Sequence, residues 1–395
     1  MGEARKTKLD MNQSVYTNRI ALTVALGGFL MGFDASVISG VNKFVQIQFN
    51  LSDLQLGFSV SSLTIVAALA MMFSGPLSDK YGRKLVLKYC ALIFTVSAIG
   101  SALATGFTSF LIFRMLGGLG VGASLIVAPM YIAEIAPASK RGRLVSFNQL
   151  NIVLGITIAF FTNYYILSLA DHTSSWVSNY GIAEHNWRWM LGIEALPAIV
   201  YFFALFSVPK SPRWLMSKGN ENKATAVLQK FISVEETAEE IKAINAALNN
   251  VNSSRKTPIT ELFKPAMRLV LTIGIVVSVL QQITGINAVF FYAPMIFEQS
   301  GIGTNASFIQ AVLVGITNLL FTIIAMALID RLGRKPLLIA GVSGIVLFMG
   351  LLSYGFGSAT YTLDTAQVAS LDVTIQNDLA PIIDERYSSD VAYKS

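Results

Sequence analysis

Three ionisable residues stand in stretches that are otherwise apolar: Asp34 in "GGFLMGFDASVISG", Arg114 in "FTSFLIFRMLGGLG" and Glu194 in "MLGIEALPAIV". Their chemistry is that of a charge held and released: a guanidinium can stabilise an ionised carboxylate, and protonation of the acid would release the pair. A second set is the knot "DKYGRK" at 79–84, which returns as "DRLGRK" at 330–335 after an interval of 251 residues. In it Asp79 and Asp330 can accept hydrogen bonds from Arg83 and Arg334 or from helix N-termini, giving directional contacts that can break. A third set is amide: Gln281, Gln282 and Asn318 each lie within an apolar run. A Gln or Asn both donates and accepts without adding charge, which suits a ligand made of hydroxyls.

The elements that carry these residues are set by composition. The chain of 395 residues is 53% hydrophobic and 13% charged, and its apolar residues form whole stretches with no polar face. Runs of about 20 apolar residues are what a helix needs to cross a hydrocarbon core of about 30 Å. Such runs fall at 20–40, 56–77, 85–106, 108–132, 145–169, 187–208, 268–292, 308–329 and 336–357. Of the 29 basic residues, 24 fall in segments that share one side if the N-terminus is cytoplasmic, the orientation positive charge selects. The net charge of +6 follows from that topology and supplies no reason to invoke nucleic acid. The first run is retained as a span, and Cys90 lies within the third, where it cannot form an intrachain disulfide.

On this frame Asp34, Arg114 and Glu194 all sit about 10 Å below the outer ends of spans one, four and six. A lone charge inside a span costs about 2.5 to 3.5 kcal/mol, so three at one depth are expected to face inward and interact. A structural ion pair is the alternative role. The two knots sit six spans apart, after spans two and eight, and "GFD" (32–34) is echoed by "GIN" (285–287). The repeat implies two six-helix halves, with substrate between them near the bilayer midplane. The expected segments are a bundle over 1–208, a helical cytoplasmic linker over 209–267 with apolar positions at Ala224, Val227, Leu228, Phe231, Ile241, Ile244 and Leu248, three helices over 268–357, and an extracellular or periplasmic polar segment over 358–395. Nine spans against an expected twelve read as the N-terminal three quarters of a longer protein, which alone would transport little.

Several stretches together resemble the sugar porter family of the major facilitator superfamily, in particular bacterial proton-coupled sugar symporters. They are "GFDASVISG" (32–40), "GPLSDKYGRK" (75–84), "YIAEIAPASKRGRL" (131–144), "VPKSPRWL" (208–215), "QQITGIN" (281–287) and "DRLGRK". The resemblance covers all nine spans. It implies an all-α membrane protein of the major facilitator fold, with an N-terminal six-helix bundle and three helices of the C-terminal bundle. It further implies transport of a monosaccharide, a pentose or hexose, by alternating access with proton symport, in the plasma membrane and in a bacterium the inner membrane. Sugar contact is expected at Gln149, Gln281, Gln282, Asn287 and Asn318, with Phe291 and Tyr292 at an outer gate. Interhelical hydrogen bonding is the alternative for the amides.

Asp34, Arg114 and Glu194 resemble the family's proton-coupling set. Asp79, Arg83, Glu134, Arg141, Arg213, Asp330 and Arg334 match its cytoplasmic gate, and for these charges plain topology signalling is the alternative. The chain departs from the family at Lys210, where a Glu is usual, and at Met31, where an aromatic is usual. A passive sugar facilitator, a membrane sugar sensor and an inactive truncated product are the other readings. "GGLGVGA" (117–123) follows no strand and lies inside span four, so it reads as helix packing rather than a dinucleotide loop. His172 and His185 have no nucleophile or metal spacing around them, and neither an enzyme nor a cofactor nor a metal is expected.

Overall fold

In hydrocarbon a backbone must satisfy its own hydrogen bonds, so long apolar runs become helices. The computed structural model describes residues 2–137, 140–172, 175–253, 263–358 and 360, and among these all regular structure is helical. Helices α1 (Gly2–Gln48), α2 (Asp53–Tyr81), α3 (Arg83–Ala102), α4 (Phe107–Ile135) and α5 (Arg141–Ala170) carry the first five spans. After the short α6 (Ser175–Asn179), the sixth span is shared by α7 (Asn186–Gly192) and α8 (Ala195–Ser207). The linker folds as α9 (Pro212–Ser217), α10 (Glu221–Leu228) and α11 (Val234–Ser253). The seventh span is shared by α12 (Pro265–Ile283) and α13 (Ile286–Gln299), and α14 (Thr304–Leu332) and α15 (Arg334–Gly357) carry the last two. Nine helical spans among the described residues are thus long and apolar enough to cross a membrane.

The chain forms two units, Met1–Ile324 and Ala325–Ser395. The second, over its described residues, is the end of α14, a turn at Gly333 and α15. The polar segment expected from 358 onward lies almost wholly outside the described residues.

Within the first unit α1 is the central helix. Its N-terminal part contributes Ile20, Val24 and Leu30 to a core shared with α2, α3, α4 and α8, and further along Phe33, Val37 and Val41 join a second core that includes Trp187 and Phe308. Lipid tails are as apolar as leucine, so such helices associate by close packing of small residues. α1 and α5 show this best: a Cβ added at Gly32 would run into the Ile152 carbonyl, and one added at Gly155 would run into the Phe29 carbonyl. The "GGLGVGA" stretch does the same on α4, where a side chain at Gly118 or Gly122 would strike the backbone of Leu63 or Ala67 on α2.

The repeated knots fold as repeated turns. Gly82 ends α2 with φ +93° and Gly333 ends α14 with φ +80°, a left-handed region that favours glycine and explains the glycine the two knots share. The linker's expected apolar stripe is its core: Leu215, Met216, Ala224, Leu228 and Ile244 are buried together, flanked by Val227, Ile241 and Leu248. Phe231 departs from that stripe and packs instead into the core of the transmembrane bundle.

Candidate functional site

Asp34 on α1, Arg114 on α4 and Glu194 at the α7–α8 junction are each about 98% buried, at 1%, 2% and 2% exposure. Arg114 Nη1 donates to Asp34 Oδ1 and, at 3.4 Å, to the Asp34 carbonyl. Glu194 lies within electrostatic reach of both partners. Among the described residues, Asp34 Oδ2, Arg114 Nε and Glu194 Oε1 find no hydrogen-bond partner. Gly117 leaves the room beside Asp34, since a Cβ there would lie 2.9 Å from Asp34 Oδ2 and 2.6 Å from Ser97 Oγ.

Span six was expected as one continuous helix, and the structure breaks it at Ile193–Glu194. Pro197 supplies the cause. It has no N–H to give the carbonyl four residues back, so a helix begins afresh with Pro197 in its first turn. The Glu194 carbonyl still receives Ala198 N at 3.3 Å, and the acid is left at the head of α8. That proline was the available sequence signal for the break.

At the α2–α3 turn, Arg83 is 6% exposed at its side chain and reaches two acids. It donates to Glu134 Oε1 from Nε at 3.1 Å and Nη2 at 2.8 Å, and Nη2 lies 2.8 Å from Asp79 Oδ1. The other Glu134 oxygen accepts from Ser211 Oγ at 2.5 Å, while Trp214 Nε1 donates to the Asp79 carbonyl at 3.1 Å. The network thus joins α2, α3, α4 and the segment leading into α9. Arg141 stands apart from it: its Nη2 lies 3.7 Å from Glu240 on α11. Arg213 is exposed on α9, Arg334 is exposed at the start of α15, and the side chain of Asp330 lies outside those described.

The amides fall on α5, α12, α13 and α14. Gln149, Gln281, Gln282 and Asn287 are exposed and Asn318 is half-buried. The chain breaks at Gly285, φ +78°, so that Asn287 opens α13 and its Nδ2 donates to Gln282 Oε1 at 2.8 Å. α5 approaches these elements directly. Thr157 Oγ1 donates to the Gly315 carbonyl at 2.9 Å, and the rings of Phe160 and Phe290 stack with centroids 6.2 Å apart. Phe291 and Tyr292 are half-buried against the second core, and Asn42 Nδ2 donates to the Phe291 carbonyl at 2.9 Å. Beside it, Lys43 on α1 pairs with Glu298 at the end of α13, and Thr304 Oγ1 donates to the same carboxylate at 2.6 Å. That pair had no sequence signal, since two end-of-span charges 255 residues apart look like ordinary loop charges.

The arrangement holds a buried charge cluster in one bundle, amides on broken or neighbouring helices, and ion pairs at both ends. Comparison with known proteins agrees in kind. The family described as "Sugar (and other) transporter" matches residues 20–372. The D-xylose-proton symporter of Escherichia coli is 36% identical over 386 residues, covering 91% of this chain and 75% of that protein. The arabinose-proton symporter of Bacillus subtilis is 37% identical over 337 residues, covering 85% and 70%. Among solved structures, the major facilitator proton:xylose symporter XylE bound to 6-bromo-6-deoxy-D-glucose superposes with a TM-score of 0.72 at 34% identity, covering 87% of this chain and 76% of that one. The chain is therefore a multi-pass membrane protein of the major facilitator fold and belongs to the sugar (and other) transporter family.

Proposed function

We propose that the protein moves a monosaccharide, a pentose or hexose, across the membrane by alternating access, together with a proton. The observation that carries this reading is the buried cluster of two carboxylates and one guanidinium. With both acids ionised it holds one net negative charge, and a single proton brings it to zero. A membrane-buried cluster that can be neutral or charged by one proton gives two states of different solvation and pairing, which is the bistable element a coupled transporter needs. Relatives named as xylose–proton and arabinose–proton symporters support the same assignment.

Gln149, Gln281, Gln282, Asn287 and Asn318 supply the sugar contacts, with Phe291 and Tyr292 closing over them, in a chain divided into a first bundle (1–208), a linker (209–267) and the start of a second bundle (268–357). The Arg83–Glu134–Asp79 network is the inner gate. The distribution of Lys and Arg puts that end, and the N-terminus, on the cytoplasmic side. Transport, not bond-making, is the activity.

The test is uptake of labelled xylose, arabinose and glucose into energised vesicles containing the protein expressed from its whole reading frame. Saturable accumulation that collapses with a protonophore is the expected outcome, and absence of uptake of every sugar would overturn the reading. In the same assay Gln282→Ala should weaken sugar binding by about 1 to 3 kcal/mol, the cost of leaving buried hydroxyls unpaired. Its amide carries a partner, Asn287, so Asn287→Ala should weaken binding in the same sense through loss of Gln282's orientation. Unchanged affinity in both variants would leave the amides a packing role only.

A further inference from the structure

Two adjoining recesses lie where α2 turns into α3. The first, about 280 Å³, is walled by Lys84, Lys88, Lys210 and Trp214. The second, about 720 Å³, is a groove along α2, α3 and α4 lined by Leu69, Phe73, Leu77, Tyr89 and Leu119. Tyr81 and Leu85 belong to both, so a recess carrying three lysines adjoins an apolar groove.

The lysines of the first recess have no acid to answer them. Lys84 donates to the Phe206 carbonyl at 3.0 Å, Lys88 Nζ sits 3.2 Å over the Phe206 ring, and Lys210 Nζ lies 5.2 Å over the Trp214 ring. None forms an ion pair among the described residues. The nearby acids are spoken for, because Asp79 and Glu134 both hold Arg83. Lys84 is also within electrostatic reach of Lys88 and Lys210, so three like charges from α3 and from the segment after α8 repel across the chamber. Even after counting the Arg83 triad, the site carries two positive charges.

We infer that this double recess binds an anionic phospholipid, its phosphodiester bridging Lys84, Lys88 and Lys210 and one acyl chain lying in the groove beside Leu69, Phe73 and Leu77. Depth agrees with chemistry. Arg83 begins α3, so Lys84 and Lys88 occupy one face of its first turns, at the level where headgroup phosphates meet the apolar core. Lysine stems reach such a level while their ammonium groups stay at the interface, and basic pockets between spans recognise anionic headgroups. Free phosphate satisfies the lysines alone, whereas the exposed apolar groove that continues from them selects a tailed ligand. A bridging phosphate also relieves the repulsion between α3 and Lys210, holding the α2–α3 turn against the segment that carries Ser211 and Trp214.

The probe is phosphatidylglycerol against phosphatidylethanolamine of the same chain length, added to the purified protein, with retained lipid counted by native mass spectrometry and thermal stability followed in parallel. Wild type should keep one phosphatidylglycerol preferentially and melt higher with it. Lys84→Gln/Lys88→Gln and, separately, Lys210→Glu should each lower that retained fraction by about tenfold while leaving phosphatidylethanolamine retention unchanged. Leu77→Gln should reduce phosphatidylglycerol retention without touching a charge. Equal retention of the two lipids by wild type, or undiminished phosphatidylglycerol on both lysine variants, overturns the site. Full stabilisation by inorganic phosphate or glycerol phosphate alone would overturn its assignment to a lipid.

Discussion

Replacing Asp34 with Asn is expected to abolish sugar accumulation driven by a proton gradient while sugar exchange continues. One proton moving through 100 mV supplies about 2.3 kcal/mol, enough for roughly fiftyfold accumulation at 1.4 kcal/mol per tenfold. The Asn variant should fall to the equilibrium ratio, because its side chain keeps a hydrogen-bond acceptor for Arg114 but has no charge to gain or lose. Asp34 contacts Arg114 through Oδ1 and leaves Oδ2 buried without a partner beside Gly117, so the change preserves shape. Exchange of labelled for unlabelled sugar across de-energised vesicles separates loss of coupling from loss of folding. If the Asn variant still concentrates sugar in energised vesicles, Asp34 is not the coupling site.

Gly155→Leu should prevent the first unit from assembling. A Cβ at residue 155 meets the Phe29 carbonyl and comes within 2.9 Å of Phe33 N, both backbone atoms that cannot rotate aside. Overpacking typically costs about 1 to 3 kcal/mol where side chains can shift, and backbone offers less relief, so Gly155→Ala should already fall in that range and the leucine beyond it. Gly142, on the same helix with no atom within 4 Å of its added Cβ, is the control: Gly142→Ala should leave stability unchanged or raise it by about 0.5 to 1 kcal/mol. Fluorescence-detected size exclusion after a heating series ranks the three. Gly155→Ala as heat-resistant as wild type would show that α1 and α5 do not depend on this contact.

What could be read in the sequence was what a local pattern determines. The nine spans followed from apolar run length, and the repeated knot "DKYGRK"/"DRLGRK" marked where spans two and eight end. The association of Asp34 with Arg114 also followed, because charges in hydrocarbon have few places to go and must find one another. Pairings between distant solvated ends did not follow. Lys43 meets Glu298 and Arg141 meets Glu240 because particular helix ends come together, and an exposed charge has water as an equal alternative, so its partner is left open by composition. The break at Glu194 lies between these cases. Its cause, Pro197, is local, but it is masked by an apolar run long enough to span unbroken.

Coupling of proton to sugar is tested most directly by watching the proton. The protein expressed from its whole reading frame is reconstituted into vesicles holding a pH-sensitive dye, with no initial pH or voltage difference, and xylose, arabinose or glucose is added outside. The account predicts that a transported sugar acidifies the vesicle interior as it enters, that the signal disappears with a protonophore, and that Asp34→Asn admits the sugar without any pH change. Sugar entry into wild-type vesicles with a flat dye signal would contradict it and leave a passive facilitator.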